Sequence, residues 1–264
     1  MSFIVNPYWY AQACPDADAN AFLTATGITD PTISGAVCTL VTSLKSANLW
    51  TKLTAIYPFV GGTATTHKFN LKNPADTNAA FRLSFVGGWT HSANGATPNG
   101  TNAYADTFLN PFTNLSLNSH SFGIYSRTNN TTGAQVYGSF QNSNTSFLQN
   151  NLTAANFVSG STSNILSYTA NPSTSFLMGT RTSNTIFRAF RAGVLLGTNT
   201  TVISALPNGK YFLGARFNSV TLAAELFTVH QLAFAFVGSG LSNSEALTFY
   251  NIVQAFQTTL ARQI

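Results

Sequence analysis

The sequence predicts a mainly β fold: a jelly-roll sandwich with an N-terminal helical segment and a C-terminal helix. Three observations carry the prediction. From Leu49 onward, short runs of alternating apolar and polar residues recur between turns rich in Gly, Asn and Pro. The stretch from Phe81 to Asn110, FRLSFVGGWTHSANGATPNGTNAYADTFLN, reads as two strands around an elaborated polar loop. Near the other end, Ser242 and Glu245 have the spacing of a capping box ahead of an apolar stripe. No repeat of solenoid or propeller period interrupts this pattern.

Residues 1–48 are helical in pattern and form one expected unit, a docking or oligomerisation appendage; residues 49–264 form the other. Asp16 or Asp18 caps a first short helix that ends at Gly27. Asp30-Pro31 then supplies a cap followed by proline at the first helical position. Ile33, Val37, Leu40, Val41 and Leu44 make one apolar stripe, expected to pack on the sandwich in preference to another subunit. Beyond it, Lys52 to Tyr57 and Thr63 to Leu71 read as strands, the second followed by an Asn73-Pro74 turn.

In the organising stretch, Phe81, Leu83 and Phe85 alternate to one side, and the second strand runs through Asn102 to Phe108. Ser121 to Arg127 and Ala134 to Phe140 read as a hairpin. Residues 141–164, rich in Asn and Ser, read as weak strands without a defined register. Ser175 to Thr180 is a short strand, and Thr185 to Phe190 pairs with Val194 to Thr198 about Arg191-Ala192-Gly193. Lys210 to Ala215 and Phe227 to Val237 complete the set. The closing helix carries Phe249, Val253, Phe256 and Leu260 on one face.

Composition bounds the function classes. Hydrophobic residues make up 44%, and 22 Phe, 9 Tyr and 3 Trp supply a sizeable core. Charged residues are only 7%, against about 25% in an average soluble domain. Amide and hydroxyl side chains replace them, which suits an extracellular or particle-borne β protein. The net charge is +5, with a sequence pI of about 9.4, yet the twelve Lys and Arg residues stand singly. No nucleic-acid partner is expected. No apolar run approaches the ~18 residues of a membrane helix, so no membrane partner is expected either. The N-terminal run MSFIVNPYWYAQAC has no basic lead and reads as mature protein. Cys14 and Cys38 read as two free buried thiols, a single bridge being the alternative.

Local patterns from Pro98 to Ala246 resemble the concanavalin A-like, laminin-G-like jelly roll. They are NGTNAYAD (99–106), FRAFRAGVL (187–195), YFLGA (211–215), and LSNSE (241–245) running into a helix. Leu49 to Pro74, LWTKLTAIYPFVGGTATTHKFNLKNP, with GGWTHSANGATPNGTNAYADT after it, resembles structural proteins of tailed bacteriophages and prophages. The second resemblance covers most of the chain. It implies a homo-oligomeric virion component such as a head fibre, decoration protein or tail adhesin, at the virion surface with other virion proteins as partners.

The chemistry-bearing residues point to binding and away from catalysis. Glucanases of this fold place carboxylates in a Glu-x-Asp-x-x-Glu strand pattern; here Glu225 and Glu245 are isolated, as are the five aspartates. His67, His91, His120 and His230 have no Gly-x-Ser-x-Gly elbow nearby, and His230 reads as a satisfied core histidine. No enzyme activity is expected, and no cofactor. If calcium is present, Asp106 and Asn102 are its expected ligands, although calcium normally takes more than one carboxylate. Glycan binding needs an aromatic plate with planar amides and hydroxyls. Trp89, His91, Asn94 and Tyr104 are the candidates, with Tyr125, Arg127 and Asn218 on later strands. The competing reading makes Trp89 and Tyr104 ordinary core or rim aromatics. The function expected is therefore a non-enzymatic virion protein displaying a lectin-like sandwich toward host surface glycan. The alternatives are a free carbohydrate-binding module and a polysaccharide depolymerase.

Overall fold

The computed structural model describes residues 14–130, 134–150, 155–169 and 172–264. Asp16 caps helix α1 (Ala17–Thr26), its carboxylate accepting from the N–H groups of Asp18 and Ala19 at 2.9 and 3.2 Å. The helix closes at Gly27, whose φ of +66° is one that glycine adopts without a Cβ penalty. Asp30 caps α2 (Pro31–Ser46) through the Ile33 N–H, with Pro31 at the first position. Both helix boundaries agree with the sequence reading because caps are local signals.

The cysteines do not. Cys14 and Cys38 form a disulfide, with Cα atoms 5.6 Å apart, in place of the two free thiols expected. The turn between α1 and α2 folds the helices against one another. That brings the residue before α1 beside the middle of α2, a proximity that spacing alone does not disclose.

Strand β1 (Leu53–Tyr57) agrees with expectation, but Thr63 to Leu71 is not a strand. Thr63 and Thr66 build a capping box around the four-residue helix α3 (Ala64–His67). After it come β2 (Ser84–Val86), β3 (Trp89–Ser92), β4 (Gly95–Pro98), β5 (Tyr104–Asp106) and the short helix α4 (Pro111–Asn114). Next are β6 (His120–Ser126), β7 (Gln135–Gln141), β8 (Asn144–Asn150), β9 (Ala155–Ser159) and β10 (Ile165–Tyr168). The chain continues through β11 (Ser175–Ser183), β12 (Ile186–Arg191), β13 (Val194–Asn199), β14 (Phe212–Leu213), β15 (Arg216–Asn218) and β16 (Ala223–Glu225). It closes with β17 (Leu232–Gly238) and helix α5 (Asn243–Thr259).

These strands form a sandwich of two sheets. The first runs β13-β12-β11-β6-β17-β4-β3, with β1 also on β17; the second runs β10-β9-β8-β7-β14-β5-β2, with β15 on β7 and β16 on β15. The pairs are antiparallel except β15 with β7. The loop in the organising stretch is itself a hairpin, β3–β4, and it joins the opposite sheet from β2 and β5 through Leu232 and Ala96. Phe81 lies outside the strand, at φ +57° after a 3-10 turn. The pair 121–127 and 134–140 is not a hairpin either. Strand β6 lies in the first sheet and β7 in the second, so the intervening chain arches between them. The hairpin at Arg191-Ala192-Gly193 is present, with φ +47° at Ala192 and +75° at Gly193.

Two apolar layers result. Tyr137, Leu148, Phe157 and Leu213 of the second sheet meet Phe122, Ile124, Phe187 and Ala235 of the first. On the other side of the first sheet, Phe176, Phe234 and Phe236 pack under α2 and α5. The α2 stripe of Val37, Leu40, Val41 and Leu44 is buried there with Phe249, Val253 and Phe256, so the chain's own elements cover it. Each such side chain contributes about 2 kcal/mol on burial. Helix α5 starts at the Ser242–Glu245 capping box, and Glu245 also pairs with Lys52. Beyond its end, Arg262 is fully buried and donates to the carbonyls of Pro58, Phe59, Ala93 and Ala233 and to the Gln257 side chain. Helices therefore roof the first sheet. Among the described residues no helix lies on the outer face of the second. Among the described residues no helix is long and apolar enough to cross a membrane.

Candidate functional site

The outer face of the second sheet is defined by its register. Ser84, Asp106, Phe212, Gly138, Phe147, Val158 and Ile165 are directly opposed across seven strands and so share one face. The adjacent row, Phe85, Ala105, Leu213, Tyr137, Leu148, Phe157 and Leu166, points into the inter-sheet core. One step along the strands, Gln149 and Asn156 lie opposite each other on the outer face, with Ser167 beyond. The Asn156 amide donates to the Gln149 carbonyl oxygen at 3.2 Å.

Aromatic rings lie on the same face, across β7 from these amides. Tyr104 stacks on Phe212 with centroids 4.4 Å apart and planes 17° from parallel, and Phe217 meets Phe212 at 5.0 Å. Tyr104 is half-buried and Phe212 lies beneath it. Phe147 and Phe140 are also half-buried on the outer rows. The face thus pairs flat apolar plates with amide groups that both donate and accept.

The sequence-predicted residues distribute around this face in three ways. Tyr104 lies on it. Trp89 adjoins it, its indole N–H donating to the carbonyls of Val86 and Tyr104, both at 3.2 Å. Its ring packs on Gly214 (φ +81°), where a Cβ would lie 2.9 Å from the indole. Trp89 is therefore a half-buried rim aromatic with its polar atom already used. His91 stacks on Trp89 and shares a 2.9 Å Nδ1–Nδ1 hydrogen bond with the buried His67. Asn94 is exposed in the β3–β4 turn of the other sheet, apart from the amide row.

The remaining candidates lie elsewhere: two by the C-terminal helix and one at the sheet edge. Tyr125 is 1% exposed under α5, its hydroxyl donating to Gln254 and accepting from the Ile264 N–H. Arg127 donates to the Arg262 carbonyl and to Gln231. Asn218 is buried at the edge of the second sheet, where its oxygen accepts from the Val220 and Thr221 N–H groups. Each of the three thus has hydrogen-bond partners within the chain. Periodicity placed them on strands but did not say which sheet face the C-terminal helix would cover.

The expected calcium pair is also committed elsewhere. Asp106 accepts from the Phe108 N–H and pairs with Lys210 at 2.6 Å, while Asn102 accepts from Gly88 and Asn99. Among the described residues no group of three or more His, Cys, Asp or Glu gathers to hold a metal. His230 is a satisfied core residue, bonded to Ser126 and to the Asn150 carbonyl, both at 2.8 Å. His120 is likewise buried between the Ser116 carbonyl and Ser159. Burial keeps both imidazoles below the ordinary histidine range, His120 at about 4. His67 is pushed down to about 3 by burial, then by its neighbours His91 and Arg262.

No family model and no curated protein matches the chain. Solved structures of similar fold do exist. The binding domain of botulinum neurotoxin DC, in complex with rat synaptotagmin II, has a TM-score of 0.53 at 10% identity, covering 77% of this chain and 52% of that one. The serotype D binding domain has 0.52 at 9%, covering 79% and 52%. Botulinum neurotoxin type C, whose cell entry depends on interaction with two ganglioside molecules, has 0.52 at 9%, covering 79% and 53%. The chain spans about half the length of these neurotoxin chains. At this identity the likeness is one of fold, a β-sandwich.

Sequence reasoning missed Phe212, Phe147, Gln149 and Asn156. The signal for three of them was present: the outer residues of β8 and β9 alternate with Leu148 and Phe157 of the core. It could not be used without knowing which parity faced the other sheet. Hollows lie elsewhere. One of about 280 Å³ lies between α2 and α5 over Leu40, Ile252 and Phe256. Another, of about 380 Å³, lies between the α1–α2 turn and Gly61-Gly62.

Proposed function

We propose that the chain is a non-enzymatic recognition module that binds surface glycan on the outer face of its second sheet. The observation that carries this reading is that the Tyr104–Phe212 stack and the Gln149–Asn156 amide pair lie on one sheet face, on either side of β7, and that no helix among the described residues covers it. Aromatic faces pack on the C–H faces of sugars, and side-chain amides match pairs of hydroxyls as donor and acceptor.

The carboxylates support a binding role over hydrolysis. All seven acidic residues are engaged. Asp16 and Asp18 meet Lys45, Asp30 caps α2, and Asp76 meets Lys68 and Arg82. Asp106 meets Lys210, Glu225 meets Arg216, and Glu245 meets Lys52. A glycosidase needs one carboxylic acid and one free carboxylate flanking the sugar.

The setting we propose is the surface of a bacteriophage particle, where residues 1–48 dock a homo-oligomer to other virion proteins. The resemblance of Leu49 to Pro74 and of residues 87–107 to phage structural proteins supports it. Purified chain incubated with host surface polysaccharide should be retained and leave the polymer's length unchanged, and antibodies to the chain should label the particle. Shortened oligosaccharides would overturn the non-enzymatic reading, and unlabelled particles the virion setting.

A further inference from the structure

We infer that the outer face of the second sheet takes an uncharged saccharide and discriminates against acidic ones. The inference rests on the glycan reading above and specifies its ligand class. Its basis is the state of the two cations at that face. Lys210 Nζ lies 2.6 Å from Asp106 Oδ2 and 4.9 Å from the centre of the Phe108 ring. Arg216 lies over Phe140 at 4.4 Å and holds Glu225 through Nε, at 2.9 Å, and through Nη2. Asn218 completes the arrangement, its amide donating to the other Glu225 oxygen at 3.2 Å. Each cation therefore already has a carboxylate against it and an aromatic face beneath it.

An arriving carboxylate or sulfate would have to share each cation with Asp106 or Glu225, whose charge already offsets it and repels a second anion. No spare cation stands near enough to substitute. Of the twelve Lys and Arg residues, Lys45, Lys52, Lys68 and Arg82 are paired with acids on other elements. Lys72 lies over Trp50, and Arg127 donates to the Arg262 carbonyl. Arg181 and Arg262 are fully buried. Arg188 and Arg191 belong to β12 of the first sheet. What the face offers is neutral: the Gln149 and Asn156 amides, the Ser84 and Ser167 hydroxyls, and the Tyr104 ring. Hydroxyls can bond to these without disturbing either ion pair.

The test is calorimetric titration of the full chain with neutral gluco- and galacto-oligosaccharides and with sialyllactose, at low and at physiological salt. A neutral oligosaccharide should bind with an affinity that changes less than about twofold with salt. Sialyllactose should bind at least about tenfold more weakly. Glu225→Gln, which frees Arg216, should strengthen sialyllactose binding and make it salt-sensitive. A wild-type preference for sialyllactose that weakens with salt would overturn the charge assignment while leaving glycan binding in place. Failure of Glu225→Gln to gain sialyllactose affinity would overturn the role given to that carboxylate. Absence of binding to every saccharide would overturn the underlying glycan reading, and this inference with it.

Discussion

Histidine protonation sets how this protein responds to acid. His67 and His120 are held at about 3 and about 4, with burial the main cause in each, and burial also lowers His91 and His230. In the unfolded chain all four titrate near ~6.5. Below that pH the unfolded state binds more protons than the folded one, so stability falls as pH falls. The contribution is fully present above about pH 6.5. Below it, each buried imidazole removes up to ~1.4 kcal/mol per pH unit until its folded value is reached. Urea midpoints should be flat just above neutrality and drop steadily from pH 6.5 to 4.5. A flat profile across that interval would contradict the buried neutral imidazoles. The residue scale was partly legible: alternation through Leu232 and Phe234 marked His230 as a core residue, and it is buried, although a register shift puts Leu232 and Phe234 on opposite faces of β17. The His67–His91 contact was not, because it joins α3 to a hairpin whose sheet the sequence did not reveal.

At the scale of elements, local chemistry was readable and pairing was not. The caps at Asp16, Asp30 and Ser242 involve residues two or three apart, so the sequence contains the whole interaction. The β12–β13 turn, with Gly193 in a left-handed conformation, is equally local. Strands β6 and β7 look like a hairpin in sequence because a turn-rich segment joins them. Such a segment serves a hairpin or an arch between sheets equally well. The strand expected from Thr63 to Leu71 failed for a related reason: Thr63 and Thr66 satisfy a helix start better than a ladder. The Cys14–Cys38 bridge is the long-range link that holds α1 to α2. Closing a loop of 24 residues in separation contributes about 3 kcal/mol by restricting the unfolded chain. A reducing agent, or Cys38→Ser, should therefore lower the melting temperature by several degrees. An unchanged melting temperature would contradict the bridge.

For the whole molecule, the decisive fact is asymmetry between the two sheets. Helices α2 and α5 roof the first, so its central strands β6 and β17 have both faces covered. The second carries its aromatic and amide rows on the side that no helix among the described residues reaches. The sandwich and its terminal helices were legible because alternating strands, turn residues and amphipathic stripes are visible in composition and spacing. Which sheet the helices would cover was not, since every apolar stripe matches either face equally well. That gap is why Tyr125 and Arg127, by the C-terminal helix, stand among the expected ligand contacts and Phe212 does not. A glycan array probed with wild-type chain and Tyr104→Ala, with melting temperatures measured on both, tests the central claim most directly. The account predicts defined glycan binding by the wild type. It also predicts at least about a tenfold loss in Tyr104→Ala, with the melting transition retained. Equal binding by the two proteins would place the ligand elsewhere and contradict the assignment of this face.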